Sequence, residues 1–273
     1  MNFARWLWRR TTGGDDEVYV TERFGVRSLH IGSDTIQSSM RLLRPNDLEL
    51  AYTRSMMAFL LFNETPQHIL MIGLGGGSLA KFIYHRMPET QLEVIEVNPR
   101  VLAIARSSFQ VPPDDERFAV RLGDGADWVA RPGPAVDAIV VDGYDGASQV
   151  AELATPRFYQ TCRERLAAGG VLVVNLWGSD RRFDEYLRRI ESAFPAATLC
   201  LPAEKPGNVI VFGFRNSPGS AYWDALSQKA SGLETRYALE FGRFVRALSR
   251  MNRSTRERLF MGPATMSAGD TLL

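Results

Sequence analysis

Gly73, Gly75, Gly76 and Gly77 fall within ILMIGLGGGSLAKF, between a short apolar run and a stretch that reads as a helix opening at Ser78. Glycines in such a loop adopt positive φ and let a ligand approach the backbone without meeting a Cβ atom. A glycine-rich loop alone says little. Here Glu96, in VIEVNPRV, stands 19 residues after the last of these glycines and closes a second apolar run. A carboxylate at that place accepts hydrogen bonds from the two hydroxyls of a ribose. A third run ends in Leu122-Gly123-Asp124-Gly125. Asp124 is placed there to accept the amino group of an adenine, with Gly125 flanking the ring. Plainer readings compete: Glu96 as an exposed strand-end carboxylate, and Asp124 as a turn former.

These residues need a scaffold that brings strand ends together. Apolar runs at 68–72, 92–96, 118–122, 138–141 and 171–176 read as strands, and 78–86, 99–109 and 156–166 read as helices between them. Strands that are apolar on both faces and separated by helices predict a parallel sheet covered on each side. Pro99 suits a first helical turn, and Gly169-Gly170 suits a helix stop. A helix over 181–194 and strands over 198–201 and 208–214 follow, the last two as an antiparallel pair at the sheet edge. Before the sheet, residues 17–42 alternate and carry turn residues, predicting a β-hairpin or small antiparallel sheet. Asn46 and Asp47 offer caps for a helix over 48–62. Beyond residue 216 the chain reads as helices over 221–229 and 234–250 with a polar tail.

The expected fold is therefore α/β, with a Rossmann-like, mostly parallel seven-stranded sheet, flanking helices and a small N-terminal β-hairpin or sheet. Its divisions are an N-terminal segment and small sheet over 1–46, a cofactor-binding catalytic domain over 47–215 and a helical extension over 216–273. The three strand-end signatures resemble the nucleoside site of class I methyltransferase-type folds, whose ligands sit at the carboxyl ends of the strands. Dinucleotide oxidoreduction suits Gly123-Asp124 poorly.

The balance of 32 basic against 31 acidic residues, a net charge of +1, gives no electrostatic case for nucleic acid. No run approaches the ~20 apolar residues that span a bilayer, so no membrane insertion is expected. The opening MNFARWLWRR lacks the apolar run of a signal peptide and reads as an amphipathic segment. Cys162 and Cys200 lie in no redox motif, which suits a reducing, cytoplasmic setting. His30, His68 and His85 are scattered, with neither metal-ligand spacing nor a triad, so no metal is expected.

At the fourth run, VDAIVVDGYDGA, the chain resembles the spermidine synthase family: a strand ending in Asp142, two residues, then Asp145. Leu153, Phe158, Tyr159, Leu166 and Gly169-Gly170 continue that pattern, and SLHIGSDTIQSSM is similar to the family's N-terminal hairpin. The resemblance implies that Gln37 contacts a cofactor and that Tyr52 lines an amine pocket. It implies aminopropyl transfer from decarboxylated S-adenosylmethionine to a small amine such as putrescine. Asp142 would touch both substrates and take the proton, with Asp145 and Tyr52 positioning the amine. A homodimer or homotetramer is the implied assembly. Gly76 stands where the family carries an Asp that binds the aminopropyl ammonium. Thr53, Asn98, Ala154 and Asn175-Leu176-Trp177 are further departures. Loss of the loop carboxylate admits ordinary S-adenosylmethionine, so methyl transfer to a small molecule is the alternative. A nucleoside-binding or interaction protein without turnover is a third reading.

Overall fold

Phe24 and Gly25 both have positive φ, 51° and 76°, and Arg23 pairs with Val26 across them. That two-residue turn joins strands β1 (Val18–Arg23) and β2 (Val26–Ile31), because its twist matches that of the strands. Strand β3 (Ile36–Arg41) adds to β2 and completes a three-stranded antiparallel sheet. The computed structural model describes residues 18–145, 148–203 and 207–262, without the side chains of 144–149. The Trp- and Arg-rich opening and the polar tail therefore lie outside the described residues.

The helix expected over 48–62 is shorter. Helix α1 (Ala51–Met56) starts after Leu50, with no side-chain cap from Asn46 or Asp47, and tightens into a 3₁₀ turn over Met57–Leu61. Arg54 explains the late start, since its guanidinium binds the carbonyls of Leu48 and Glu49. The apolar run from Met57 to Leu61 has no polar face, and the tighter turn buries all five residues.

From there strands and helices alternate: β4 (His68–Ile72), α2 (Ser78–Arg86), β5 (Gln91–Glu96), α3 (Pro99–Ser108), β6 (Phe118–Leu122), α4 (Gly125–Ala130) and β7 (Val136–Val141). The two-residue strands β8 (Tyr144–Asp145) and β9 (Ser148–Gln149) form a ribbon before a 3₁₀ turn at Ala151–Ala154 and helix α5 (Pro156–Arg165). Then come β10 (Leu166–Trp177), α6 (Phe183–Ala193), β11 (Thr198–Pro202) and β12 (Asn208–Phe214). The seven-stranded sheet has the order β11-β12-β10-β7-β4-β5-β6. Strand β12 alone runs opposite to the other six, pairing antiparallel with β10 and β11. Gly169-Gly170 do not stop a helix. They lie inside β10, where its register against β7 shifts between Leu166 and Val171.

At the C-terminal side, β13 (Ser220–Tyr222) leads into α7 (Trp223–Tyr237) and α8 (Phe241–Leu248), and β14 (Arg258–Phe260) pairs back onto β13. The break expected between 229 and 234 is absent. Leu226, Ala230, Leu233 and Tyr237 form one buried stripe that carries the helix through Gly232, and Ala238 ends it with a φ of 56°. Both helices pack into the core of the large sheet through Leu233, Phe241 and Phe244.

The N-terminal sheet has its own small core, where Val18, Leu29 and Met40 meet Val101 and Phe109 of the α3 segment. Lys81 of α2 fastens it. This lysine is fully buried, and its ammonium donates to the carbonyls of Pro45 (2.6 Å) and Phe109 (2.7 Å) and to Met40 Sδ (3.0 Å). No carboxylate stands among its described partners, and burial lowers its pKa to about 8 from 10.5. Between those two values the unfolded chain holds a proton that the folded chain has released, so stability rises with pH across that window. Lys81→Met should remove a rise on the order of 1–3 kcal/mol. Urea unfolding at pH 7 and pH 9.5 measures it, and an unchanged slope in the variant would overturn this account.

Candidate active site

The sheet reverses its strand order at β4, whose neighbours are β5 on one side and β7 on the other. A crevice opens at the carboxyl ends of strands where this reversal occurs. The main-chain ladders continue past those ends. Gly73 N–H donates to Ile95 O at 2.8 Å, Gly123 N–H to Glu96 O at 3.0 Å, and Asp142 N–H to Ile72 O at 2.9 Å. The glycine loop, Glu96, Asp124 and Asp142 are thereby fixed at one level, around a cavity of about 650 Å³. Gln37 of β3 and Tyr52 of α1 also line it.

Glu96 is buried, and its two oxygens accept from the backbone N–H groups of Asn98 (2.8 Å) and Leu74 (2.9 Å). Burial raises its pKa, and the backbone N–H groups around it, from Asn98, Leu74, Gly75 and Val97, oppose that rise. Asp124 both faces the cavity and caps α4, its Oδ1 accepting from Asp127 N–H at 2.9 Å. This residue is thus both the cap of a helix and part of the cavity wall.

Asp142 sits at the meeting point of four elements. Its Oδ1 accepts from Asn175 Nδ2 at 2.9 Å, and its Oδ2 from the Tyr52 hydroxyl at 3.2 Å. The same hydroxyl lies 3.2 Å from the carbonyl of Gln37. A phenol has one proton, so Tyr52 donates to one of these acceptors at a time. Burial raises the pKa of Asp142, while the Asn175 amide and the Tyr52 hydroxyl pull it back. Such a carboxyl is suited to taking a proton and being relieved of it again.

Two of the four loop glycines are set behind the wall. A Cβ on Gly76 would lie 2.7 Å from Ser38 Oγ and 2.9 Å from Phe109 Cδ1, and one on Gly77 would lie 2.2 Å from Val111 Cγ2. Gly73, Gly75 and Gly125 line the cavity. The side chain of Asp145 lies outside the described residues. Arg100 and Glu152 also line the cavity, and no motif drew attention to them. In the sequence Asn175 stands out only as a departure at a strand end. A lone amide within the apolar run VLVVNLW is the signal that marks it, since a buried amide requires partners.

Comparison with known proteins decides the family. The model of the spermine/spermidine synthase domain matches residues 49–214. The polyamine aminopropyltransferase of Chromobacterium violaceum is 45% identical over 239 residues, covering 88% of this chain and 92% of that protein. That of Neisseria meningitidis serogroup A is 41% identical over 253 residues, covering 91% and 96%. The chain belongs to the spermine/spermidine synthase family. A probable spermidine synthase from Corynebacterium glutamicum shares the fold with a TM-score of 0.69 at 19% identity, covering 96% of this chain and 99% of that one.

Within this family the chain carries Gly76 at the loop position where the resemblance leads one to expect Asp. Its Cβ direction runs toward Ser38 of β3 and Phe109, and Ser38 is itself held by Ser78 at 3.2 Å. Packing of the N-terminal sheet therefore occupies the space into which a side chain at 76 would start.

Proposed function

We propose that the chain is a polyamine aminopropyltransferase that moves the aminopropyl group of decarboxylated S-adenosylmethionine onto a small amine such as putrescine. The observation that carries this reading is the Asp142 carboxylate, held by Asn175 and Tyr52 in the same cavity as Glu96 and the glycine loop. The activity of the aminopropyltransferases similar to it over nearly their whole length supports the same reading.

The donor supplies a methylene carbon activated by the neighbouring sulfonium. In this reading Glu96 accepts the ribose hydroxyls and Asp124 the adenine amino group, while Gly73, Gly75 and Gly125 let the nucleoside approach the backbone. Gln37 closes the donor side from the N-terminal sheet. Asp142 accepts the proton of the amine as its nitrogen forms the new C–N bond, and the C–S electron pair leaves with sulfur. Tyr52 orients that carboxylate, and Asp145 attracts the second ammonium of the amine. Cytoplasmic location and assembly as a homodimer or homotetramer belong to the same proposal. Cys162 and Cys200, buried and unpaired, support a reducing setting, and Phe24 and Leu43, 97% and 96% exposed on the N-terminal sheet and just beyond it, support self-association.

Methyl transfer from S-adenosylmethionine is the second reading, drawn from the loop's carrying Gly76 in place of a carboxylate. Calorimetric titration separates the two. Decarboxylated S-adenosylmethionine is expected to bind more tightly than the carboxylated form; equal or inverted affinities would sink aminopropyl transfer. Gly76→Asp should cost about 1–3 kcal/mol of stability through its contacts with Ser38 and Phe109 without improving the decarboxylated donor. A selective gain in that affinity would show that the side chain reaches the cavity after all.

A further inference from the structure

Asn175 lies on β10 and Asn208 on β12. The antiparallel register pairs Asn175 with Ile210, so Asn208, two residues away, projects from the same face of the sheet. Asn208 Nδ2 donates to Asn175 Oδ1 at 2.9 Å, and Asn175 Nδ2 donates to Asp142 Oδ1 at 2.9 Å. The bonds run in one direction. An amide presents oxygen on one side and N–H₂ on the other, so a donor arriving at Oδ1 of Asn175 turns its Nδ2 toward Asp142. The backbone around Asn208 is held as well: its carbonyl accepts from Ala203 N–H at 2.9 Å, and Gly207 O accepts from Gly178 N–H at 3.0 Å.

We propose that Asn208, acting through Asn175, is a positioning residue that fixes which way the Asp142 carboxylate faces during the reaction. The proposal rests on the reading of Asp142 as the proton acceptor. Oδ1 is held from the sheet side and Oδ2 from the Tyr52 side, so the carboxylate plane is set by two donors from different elements. Without Asn208, the Asn175 amide loses one of the two partners that fix its orientation, and an inverted amide would set an oxygen against the carboxylate. An inverted Asn175 is compatible only with protonated Asp142, which then donates to it. The amide pair therefore biases Asp142 toward the ionised state that accepts a proton. Among the described residues, the other charged groups lining the cavity are Glu96, Asp124, Glu152 and Arg100.

Two variants test this, with a readout that does not depend on turnover beside one that does. Asn208→Leu keeps the branched shape and removes the donor, while Asn208→Asp presents only acceptors and demands the inverted amide. Asp142 is titrated in the free protein by its ¹³C-carboxyl resonance, and kcat and KM are followed against pH. The Asp142 midpoint should rise by roughly half a unit in Asn208→Leu and by about one unit or more in Asn208→Asp. The acidic limb of the kcat profile should move with it, and kcat should fall about 10-fold in the Asp variant with KM for the donor little changed. A wild-type midpoint in folded Asn208→Leu overturns the proposal. If that variant fails to fold, Asn208→Ala supplies the same readout. Turnover surviving Asp142→Asn would refute the proton-acceptor reading instead, and the titration would still judge the amide pair.

Discussion

Asp142→Asn should lower kcat for aminopropyl transfer by about 10²–10⁴-fold, with affinity for the nucleoside donor changed only a few-fold. The substitution preserves shape, and an amide in place of the carboxylate cannot take the amine's proton. Asn175 and Tyr52 offer donors to this site, so one end of the new amide is matched and the other faces a donor with its own N–H₂ group. Some loss therefore comes from misorientation as well as from the missing base. Steady-state formation of the polyamine product, beside calorimetry with the donor, separates the two. A kcat within 10-fold of wild type would remove Asp142 from the chemical step. The pH dependence has a defined sign. Burial raises the Asp142 pKa, so activity in the wild type should fall on acidification at a pH above the ordinary carboxylate range.

Gly73→Ala should be the most damaging single-methyl change in the glycine loop. Its Cβ would lie 2.3 Å from the carbonyl oxygen of Asp142 and 3.0 Å from that carbonyl carbon, at a φ of 91°. Both contacts are with backbone, which cannot rotate aside as a side chain would. Strain at this φ and the overlap together should cost roughly 2–5 kcal/mol. Relief of the overlap moves Asp142 itself, so kcat should fall in the fraction that remains folded. Gly169→Ala is the control: nothing lies within 4 Å of its added Cβ, and stability should change by less than about 0.5 kcal/mol. Denaturant unfolding of the two variants measures the contrast, and similar losses would show that the loop adapts more freely than its contacts imply.

Much of this site was legible because strand ends are written locally. The run 68–72 matches β4, 118–122 matches β6 and 208–214 matches β12, since short, mostly apolar stretches bounded by turn residues or charge leave little choice of period. Glu96 and Asp124 follow such runs, and both face the cavity. Elements shaped by distant contacts were not legible in the same way. The start of α1 depends on Arg54 binding carbonyls upstream, and the continuity of α7 depends on a stripe that packs on the large sheet. Gly232 reads locally as a weak point, and burial overrides it.

The sequence by itself determined that a glycine loop, Glu96, Asp124 and Asp142 would stand at successive strand ends, because each is fixed by a turn or strand within a few residues. Only the tertiary structure decided what each can reach. It turned Gly76 toward Ser38 and set Tyr52 between Asp142 and the Gln37 carbonyl. It also brought Asn208 to Asn175, 33 residues away, by laying β12 antiparallel against β10. The physical reason is range: backbone turns are set by neighbours, whereas the partners of a buried polar group come from whichever strands the sheet places beside it.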